Sequence, residues 1–462
     1  MKTRFKDSDK PLIPYLHGNP AALAGDKHPV FLLKRILRDY DLSPILKRYR
    51  SETVGRPPFD LFLMILLGVY AYYVSIRSTR KMEDLHGDSI GVRVIFPMRC
   101  PDHSTINRFR KDNETELAGL FLYVLQKCGD ADMIDPDTAI VDGTKMKANA
   151  ALSANVSEEE KIDRALEAIA ACESLVSEDL SPNARAARER GRRSRTERRK
   201  IAREKLVAKK AKRQALLEEQ KKKDEERAKI LAETGKKPRG RKRKEKTAEA
   251  MEKEKQKVKV NTTDPESEIM KTSQGYLQGD NAQIAVDRNQ IILAASVTSE
   301  QNDLFQLEPM LGGGLENLEK VGYQKEATET CLADAGYYSE ENMRPREGRT
   351  VEILAPPARK SKTVVEALKN YAGKPNESPL ASLPRTTPGG MAHSLSTQEG
   401  KDRYKKRGST VEPTFGQIKG NRGTRTFMRR GKAACDAEWK LICAIHNLHK
   451  LREHEGRLKK TA

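Results

Sequence analysis

A long, highly charged stretch in the middle of the chain places the strongest constraint on how this sequence can fold. Residues 191–260 contain 29 Lys or Arg against 12 Asp or Glu, and the whole 462-residue chain has a formal net charge of +21. A segment this charged cannot bury enough apolar surface to form a core of its own. We therefore expect the core to come from the residues on either side, with residues 156–260 inserted between them.

The composition of this insertion predicts a basic helical arm. Up to about Ala232 it consists of the helix formers Ala, Glu, Lys, Arg and Leu without a lasting heptad, which argues against a coiled coil. Arg239 and Arg241 follow in a Pro-Arg-Gly-Arg sequence that resembles the minor-groove AT-hook, with a flexible basic linker as the alternative. Concentrated positive charge attracts phosphate, so we hypothesise that the insertion embraces DNA; a solvated helix is the alternative.

Residues 1–130 are predicted to form an all-α N-terminal DNA-binding domain. Pro57-Pro58 precedes an apolar helix, and Asp102 begins a typical N-cap sequence, Asp-His-Ser-Thr. The helix that follows would present polar and basic side chains to a major groove: Asn107, Arg108 and Arg110. An ordinary surface helix is the alternative.

Two features favour a cytoplasmic protein. The most apolar stretch, residues 61–76, is shorter than the roughly 20 residues that a membrane span needs. The six cysteines are scattered without a CxxC pair, which is typical of free thiols in a reducing compartment. We therefore expect a cytoplasmic protein with no membrane association.

Apolar strands begin after residue 131 and return after the insertion. Two of them, at residues 139–142 and 329–334, each end in an aspartate, Asp142 and Asp334. Two further strands and a helix that begins at Asp303 are predicted between them. A short strand, a loop over residues 358–400 and a helical segment over residues 410–451 are predicted to follow. This order matches a ribonuclease-H-like α/β domain, which we assign to residues 131–155 and 261–452, with 453–462 as a basic tail.

In that fold the first strand and a later neighbour lie side by side, so Asp142 and Asp334 are expected at one edge of the sheet. Glu412 lies near the start of the last helical segment and could complete a cluster with them. Converging carboxylates repel one another without a cation, and Mg²⁺ prefers oxygen ligands. We therefore expect Mg²⁺ or Mn²⁺, with two ions as in two-metal phosphoryl-transfer sites. Asp280 is a possible additional acid.

Sequence blocks on either side of the insertion carry a family resemblance. Five occur in order: IVDGTKMKANA, MKTSQGYLQGDNAQIAVD, CLADAGYYSEENM, TVEPTFGQIKGNRGTRTFMRRG and EWKLICAIHNLHKL. Together with the N-terminal GRPPFDLFLMILLGVYAYYVSIRSTRKMEDL and PDHSTINRFR, they resemble bacterial insertion-sequence transposases with a DDE catalytic domain. The resemblance covers roughly residues 50–150 and 262–452. It implies Asp142, Asp334 and Glu412 as catalytic acids and a Mg²⁺-dependent cut-and-paste reaction on terminal inverted repeats.

Related transposases carry a Tyr–Arg–Glu–Lys signature, which Tyr404, Arg407, Glu412 and Lys419 resemble. The spacing from Glu to Lys fits, whereas the spacing from Arg to Glu is one residue longer than usual. Arg407 and Lys419 are expected to bind phosphates near the cleaved end, and Tyr404 could stack on a base.

Two further lysines, Lys145 and Lys147, are expected to bind phosphate as well, with solvated surface charge as the alternative. The expected partner is double-stranded DNA, both the element ends and the target, bound by a homodimer or larger assembly. A non-catalytic regulator descended from a transposase and a simple metal-dependent nuclease are the alternative functions.

Overall fold

The computed structural model describes residues 20–49, 57–171, 181–234, 257–344, 351–357 and 383–461. Arg239 and Arg241, and with them the AT-hook-like sequence, lie outside the described residues. The described residues form two compact units, one within 1–146 and 281–462 and the other within 147–280. The second unit contains most of the predicted insertion. The helices of the predicted N-terminal domain belong to the first unit, together with most of the strands.

The chain before the first strand is helical in its described parts, as predicted. The helices are α1 (Pro20–Ala24), α2 (Pro29–Leu37), α3 (Ser43–Leu46), α4 (Leu61–Tyr73), α5 (Thr79–Asp88), α6 (Ile90–Ile95), α7 (His103–Asp112) and α8 (Glu114–Asp130). Asp60 begins α4 by accepting a hydrogen bond from the Leu63 amide at 3.0 Å, and Asp102 begins α7 in the same way through the Thr105 amide at 2.8 Å. The predicted single helix after Asp102 is wrong in one respect, because the chain breaks at Asn113 between α7 and α8.

The strands of the first unit form a mixed sheet. They are β1 (Thr138–Lys147), the part of β5 (Gly275–Val286) from residue 281 onward, β6 (Ile292–Thr298), β7 (Thr330–Ala333) and β8 (Glu352–Leu354). Their order is β5-β1-β7-β8, with β6 also paired to β5. β1 and β7 are parallel, with Thr138 opposite Thr330 and Val141 opposite Ala333. The predicted side-by-side arrangement of these two strands is therefore confirmed.

Helices on the sheet complete the first unit: α11 (Leu307–Lys320), α12 (Glu340–Met343), α13 (Pro388–Ser394), α14 (Gln398–Phe415), a π-helical segment (Gly416–Asn421) and α15 (Lys432–Thr461). α15 contacts α8, α4 and β6, and its side chains Trp439, Ile442 and Ile445 are buried in the main core. The single helical segment predicted over 410–451 is instead α14, the π segment, a loop and α15. The predicted loop over 358–400 is helical at α13 and lies partly outside the described residues.

The second unit contains two long helices and short strands. They are β2 (Asn155–Val156), α9 (Glu159–Ala171), α10 (Pro182–Thr234), β3 (Val260–Asn261) and β4 (Glu268–Thr272), which pairs with residues 275–279 of β5. α10 packs on α9 through a small apolar cluster that includes Ile162, Ala202 and Leu206. The predicted helical arm is confirmed over these two helices. No helix in the described part of the chain is long and apolar enough to cross a bilayer.

Candidate active site

Asp142 and Asp334 lie next to each other on neighbouring parallel strands. Each directly follows the last paired residue of its strand, Val141 on β1 and Ala333 on β7. The guanidinium of Arg407 spans the pair, with Nη2 at 2.9 Å from Asp142 Oδ2 and 3.8 Å from Asp334 Oδ2. Two carboxylates that are far apart in sequence therefore share one cation.

The backbone at Asp142 differs from the predicted strand end. β1 continues through the Asp-Gly-Thr sequence to Lys147, so Asp142 lies within an extended strand. The reason is pairing: β5 lies along β1 and keeps it extended beyond the point where β7 ends. Asp142 Oδ1 accepts a hydrogen bond from the Gly143 amide at 2.8 Å.

The electrostatics of the two acids differ because their exposure differs. The Asp142 side chain is 18% exposed and that of Asp334 is 49% exposed. Burial raises the pKa of Asp142 to about 6, although Arg407 and the Gly143 amide act in the opposite direction. Asp334, the more exposed of the two, accepts a hydrogen bond from the Gly336 amide and begins the short 3₁₀ turn Ala335–Tyr337.

A third acid, Asp303, joins this site and was missed by the sequence analysis. Its Oδ1 accepts hydrogen bonds from Asn281 Nδ2 at 2.6 Å and Gln283 Nε2 at 2.8 Å, and lies 3.6 Å from Lys145 Nζ. A Cβ built on Gly336 would lie 3.3 Å from Asp334 Oδ1 and 3.6 Å from Asp303 Oδ2, so both carboxylates border one small space. Asp303 had been interpreted as the first residue of a helix, but α11 begins only at Leu307.

Gln283 explains why residue 143 is a glycine. A Cβ at Gly143 would lie 2.1 Å from Gln283 Nε2, which is impossible without moving one of them. Gln283 is fully buried and also accepts a hydrogen bond from the Tyr337 hydroxyl. The amide side chain thus fixes the strand directly after Asp142, and the Asp-Gly pair in the sequence reflects this close packing.

α14 carries Arg407 to the acids but turns Glu412 away from them. Tyr404 lies on the same side as Arg407, and its hydroxyl donates to the Ala333 carbonyl at 3.3 Å. Four residues after Arg407, Val411 is fully buried, whereas Glu412 is exposed. In an α-helix, a side chain five positions later is rotated by about 140° relative to the first. Glu412 follows Arg407 by five positions, so it points away from the side that carries Arg407. Its carboxylate lies over Gly408 on its own helix.

Lys419 lies in the π-helical segment and contacts the strand after Asp142. Its Nζ donates to Thr144 Oγ1 at 2.5 Å and to the Lys145 carbonyl at 2.8 Å. Burial lowers the pKa of Lys419 to about 8. Lys145 is only 20% exposed at its side chain and donates to the Gln301 carbonyl at 2.8 Å, whereas Lys147 is exposed.

The donor set at this site fits a hard divalent cation in part. Asp142 and Asp334 offer carboxylate oxygens, and the Arg407 guanidinium shows that positive charge is accommodated between them. Mg²⁺ commonly uses one or two carboxylates and completes its shell with water and phosphate. Within the described residues, however, no group of three or more Asp, Glu, His or Cys side chains is arranged to hold a metal ion. The pair fits such a cation, and Glu412 is not in place as a third ligand.

Among the predicted DNA contacts on α7, Arg110 requires correction. Asn107 and Arg108 are exposed as expected, but Arg110 is only 6% exposed. Its guanidinium donates to the Tyr72 hydroxyl at 2.5 Å and to the Arg77 carbonyl at 3.2 Å. Tyr72 in turn donates to Glu438 on α15, so Arg110 is part of a buried network. The pattern of α7 could not show this, because the partners come from other helices.

Other candidates lie apart from the acid pair. Asp280 is buried in the second unit, where burial and nearby acids, first among them Asp264, raise its pKa to about 7. His446 is buried with Nε2 at 2.8 Å from the Gln290 carbonyl, and His449 stacks on Tyr73 with ring centroids 3.8 Å apart. Both side chains therefore have packing partners within the first unit.

Two segments of the chain match known protein families. Residues 21–112 match the family described as Transposase domain (DUF772), and residues 388–452 match the Transposase DDE domain. No curated protein and no solved structure matches the chain. The first segment covers the N-terminal helices through α7, and the second carries Arg407, Glu412 and Lys419. Together these matches support an insertion-sequence transposase of the DDE type.

Proposed function

We propose that this protein cuts DNA at the terminal inverted repeats of its own element and joins the freed ends to target DNA. The observation that carries the proposal is the pair Asp142 and Asp334, which share one cation on adjacent parallel strands. A DDE transposase domain implies an enzyme of the polynucleotidyl transferase kind acting on DNA. We infer a ribonuclease-H-like catalytic domain around these strands.

In this proposal Asp142 and Asp334 hold a divalent cation, Mg²⁺ or Mn²⁺. A bound cation of this kind would activate water and neutralise the charge that develops on the phosphodiester. Arg407 would then leave the carboxylates and bind a phosphate. Its Nε is buried without a hydrogen-bond partner among the described residues, so this N–H group would gain an acceptor if Arg407 moved to a phosphate. Lys419 would bind a second phosphate, although Tyr404 is tied to a backbone carbonyl and is less suited to stacking.

Glu412 remains our proposed third carboxylate, and its use requires a change in α14. An outward Glu412 reaches the pair only if the helix rotates locally. The π-helical segment that follows directly at Gly416–Asn421 holds one extra residue per turn, and Pro413 has no amide hydrogen for the regular helical ladder. If the π-helical turn formed between Gly408 and Glu412 instead, it would accommodate the extra residue. Glu412 would then lie on the same side of the helix as Arg407.

Binding of a divalent cation is expected to weaken below about pH 6, because the raised pKa of Asp142 keeps it protonated there. Only the ionised carboxylate binds a cation, so affinity should rise with pH and level off above about pH 7. The folding stability of the cation-free protein depends on pH in the opposite direction. The folded state binds the Asp142 proton more tightly than the unfolded chain does, so this stabilisation is present below about pH 4 and is lost as pH rises to about 6.

Titration with Mn²⁺ followed by electron paramagnetic resonance measures this affinity directly. Asp142→Asn should remove the pH-dependent part of the binding. An affinity in the wild type that stays constant between about pH 5 and pH 7 contradicts the role given to Asp142.

We propose that α10 binds DNA through its N-terminal half. Residues 182–213 contain 15 Lys or Arg and 3 Asp or Glu, whereas residues 214–234 contain 5 and 6. Several basic side chains are already paired within the second unit, such as Lys209 with Glu268 at 2.6 Å. Arg190, Arg193 and Lys200, spaced three and seven residues apart, are exposed on one face of the helix, and of these Arg193 pairs with Glu189 of the same helix at 2.7 Å.

Changing these three residues to Gln is expected to weaken DNA binding and to lower the salt slope of the binding constant by up to about 3. The matched control replaces three exposed cations of the C-terminal half, Lys222, Arg227 and Lys229, with Gln. The slope should be unchanged in that control. If both triple variants lower it equally, the binding is not specific to the N-terminal half.

The N-terminal helices are proposed to recognise the element ends, with Asn107 and Arg108 of α7 as contacts. Joining two ends requires two active sites, so we propose a homodimer or larger assembly on DNA. A DNA-binding regulator and a simple nuclease remain the alternatives. Inverted repeats flanking the gene favour the transposase over a regulator, and strand transfer in vitro separates it from a nuclease.

A further inference from the structure

One aromatic side chain beside the acid pair is left uncovered. Phe305 is 69% exposed, the highest value among the large hydrophobic side chains that the structure describes. A phenyl ring in water forgoes the favourable burial that its apolar area could provide. The Phe305 ring is therefore free to be covered by a binding partner.

Phe305 is held on a fixed turn rather than on a loose loop. The Gln306 amide donates to the Asp303 carbonyl at 2.9 Å, which closes a four-residue turn with Phe305 in its third position. Asn281 Nδ2 anchors the Asp303 carboxylate at one end, and Asn342 Nδ2 donates to the Leu304 carbonyl at 2.7 Å on the other side. The ring is therefore presented to solvent from an anchored backbone.

The turn lies against the strand that carries Asp142. Asp303 is 3.6 Å from Lys145 Nζ, and Lys145 also donates to the Gln301 carbonyl of the same loop. Two residues of chain span at most about 7 Å, so the Phe305 backbone lies within that distance of Asp303. The exposed Phe305 and the cation of Lys145 therefore lie close together, next to the acid pair.

We propose that Phe305 stacks on a nucleobase of the DNA end next to the phosphate that is cut. Proteins that hold unpaired nucleic-acid strands combine cations for the phosphates with aromatic rings for the bases. A ring can cover a base only where that base leaves the duplex stack, as at a cut or frayed end. The inference rests on the proposed function and adds a contact to it: Lys145 would face the backbone and Phe305 the base.

The test uses the full-length protein and duplex DNA from the sequence flanking its gene, with 2-aminopurine at positions around the cleavage site. In Ca²⁺, wild-type protein should change the 2-aminopurine fluorescence at one position. Phe305→Ala should lose that change and bind the DNA end about ten-fold more weakly, as expected when one stacked base is lost. Phe305→Trp should retain both signals. Leu458→Ala, which truncates a side chain that is 56% exposed on α15, should behave as wild type.

Two results overturn the proposal. A Phe305→Ala variant that matches the wild type in both affinity and fluorescence contradicts stacking of the ring on a base. Equally, if the substitution alters only the sedimentation coefficient of the DNA-free protein, a second copy of the chain covers the ring. Wild-type protein that neither binds nor cuts the flanking DNA in Mg²⁺ instead contradicts the proposed function, so the two failures are distinguishable.

Discussion

Replacing Asp142 with Asn is expected to reduce DNA cleavage by at least about 100-fold while leaving the fold intact. Asn has the same shape and can still accept the hydrogen bond from the Gly143 amide, but it lacks the charge that would hold a divalent cation. Groups that merely orient a metal ligand already contribute 10-to-100-fold, and loss of a ligand itself should cost at least as much. The measurement is the cleavage rate of an end-containing duplex in Mg²⁺.

A matched control separates loss of the site from loss of structure. Asp130→Asn removes an acid that is 47% exposed on α8 and that, among the residues the structure describes, pairs with Lys127 and Gln126 of the same helix. It should cleave at the wild-type rate, and both variants should have wild-type circular dichroism spectra. Full cleavage by a folded Asp142→Asn variant would contradict the assignment of this residue.

Truncating Trp439 to Ala is expected to lower the free energy of unfolding by about 3–5 kcal/mol. Trp439 is fully buried, its indole Nε1 donates to the Gln283 carbonyl at 2.9 Å, and its ring meets Phe427 edge-on at a centroid distance of 6.5 Å. The alanine leaves a large cavity and removes the hydrogen bond to the Gln283 carbonyl. Because Gln283 also donates a hydrogen bond to Asp303, the loss of Trp439 should also disturb the acid site.

Urea unfolding followed by far-ultraviolet circular dichroism measures this effect, since the chain has one tryptophan and the variant has none. Trp439→Phe keeps most of the apolar volume and loses the hydrogen bond, so it should lose less stability than the alanine variant. An alanine variant destabilised by less than about 1 kcal/mol would mean that the core around Trp439 is not closely packed.

The strands and the acid pair could be predicted because they depend on local pattern. Apolar runs ending in Asp142 and Asp334 define two strands, and their parallel pairing then brings the two acids together. The charged composition of the insertion likewise predicted the long helix α10. Each strand and the long helix follow from residues that are close together in sequence, whereas the pairing of β1 with β7 was expected from the order of the elements along the chain.

The parts that sequence analysis missed depend on distant partners or on helix register. Asp303 looked like the start of a helix, and only the amides of Asn281 and Gln283 reveal its place. Arg110 looked exposed until Tyr72 from another helix covered it. The outward direction of Glu412 follows from one additional residue after Arg407, and it depends on residues 407–412 forming one continuous helix.

Cleavage of the element's own end in the presence and absence of Mg²⁺ tests the central claim most directly. The substrate is a labelled duplex carrying the end and its flanking DNA, compared between wild type and Asp334→Asn. We expect wild-type protein to release a 3′-hydroxyl end in Mg²⁺ and none in EDTA, and the variant to bind the duplex without cutting it. Equal cutting by Asp334→Asn, or cutting by the wild type in EDTA, would contradict a cation-dependent reaction at this carboxylate pair.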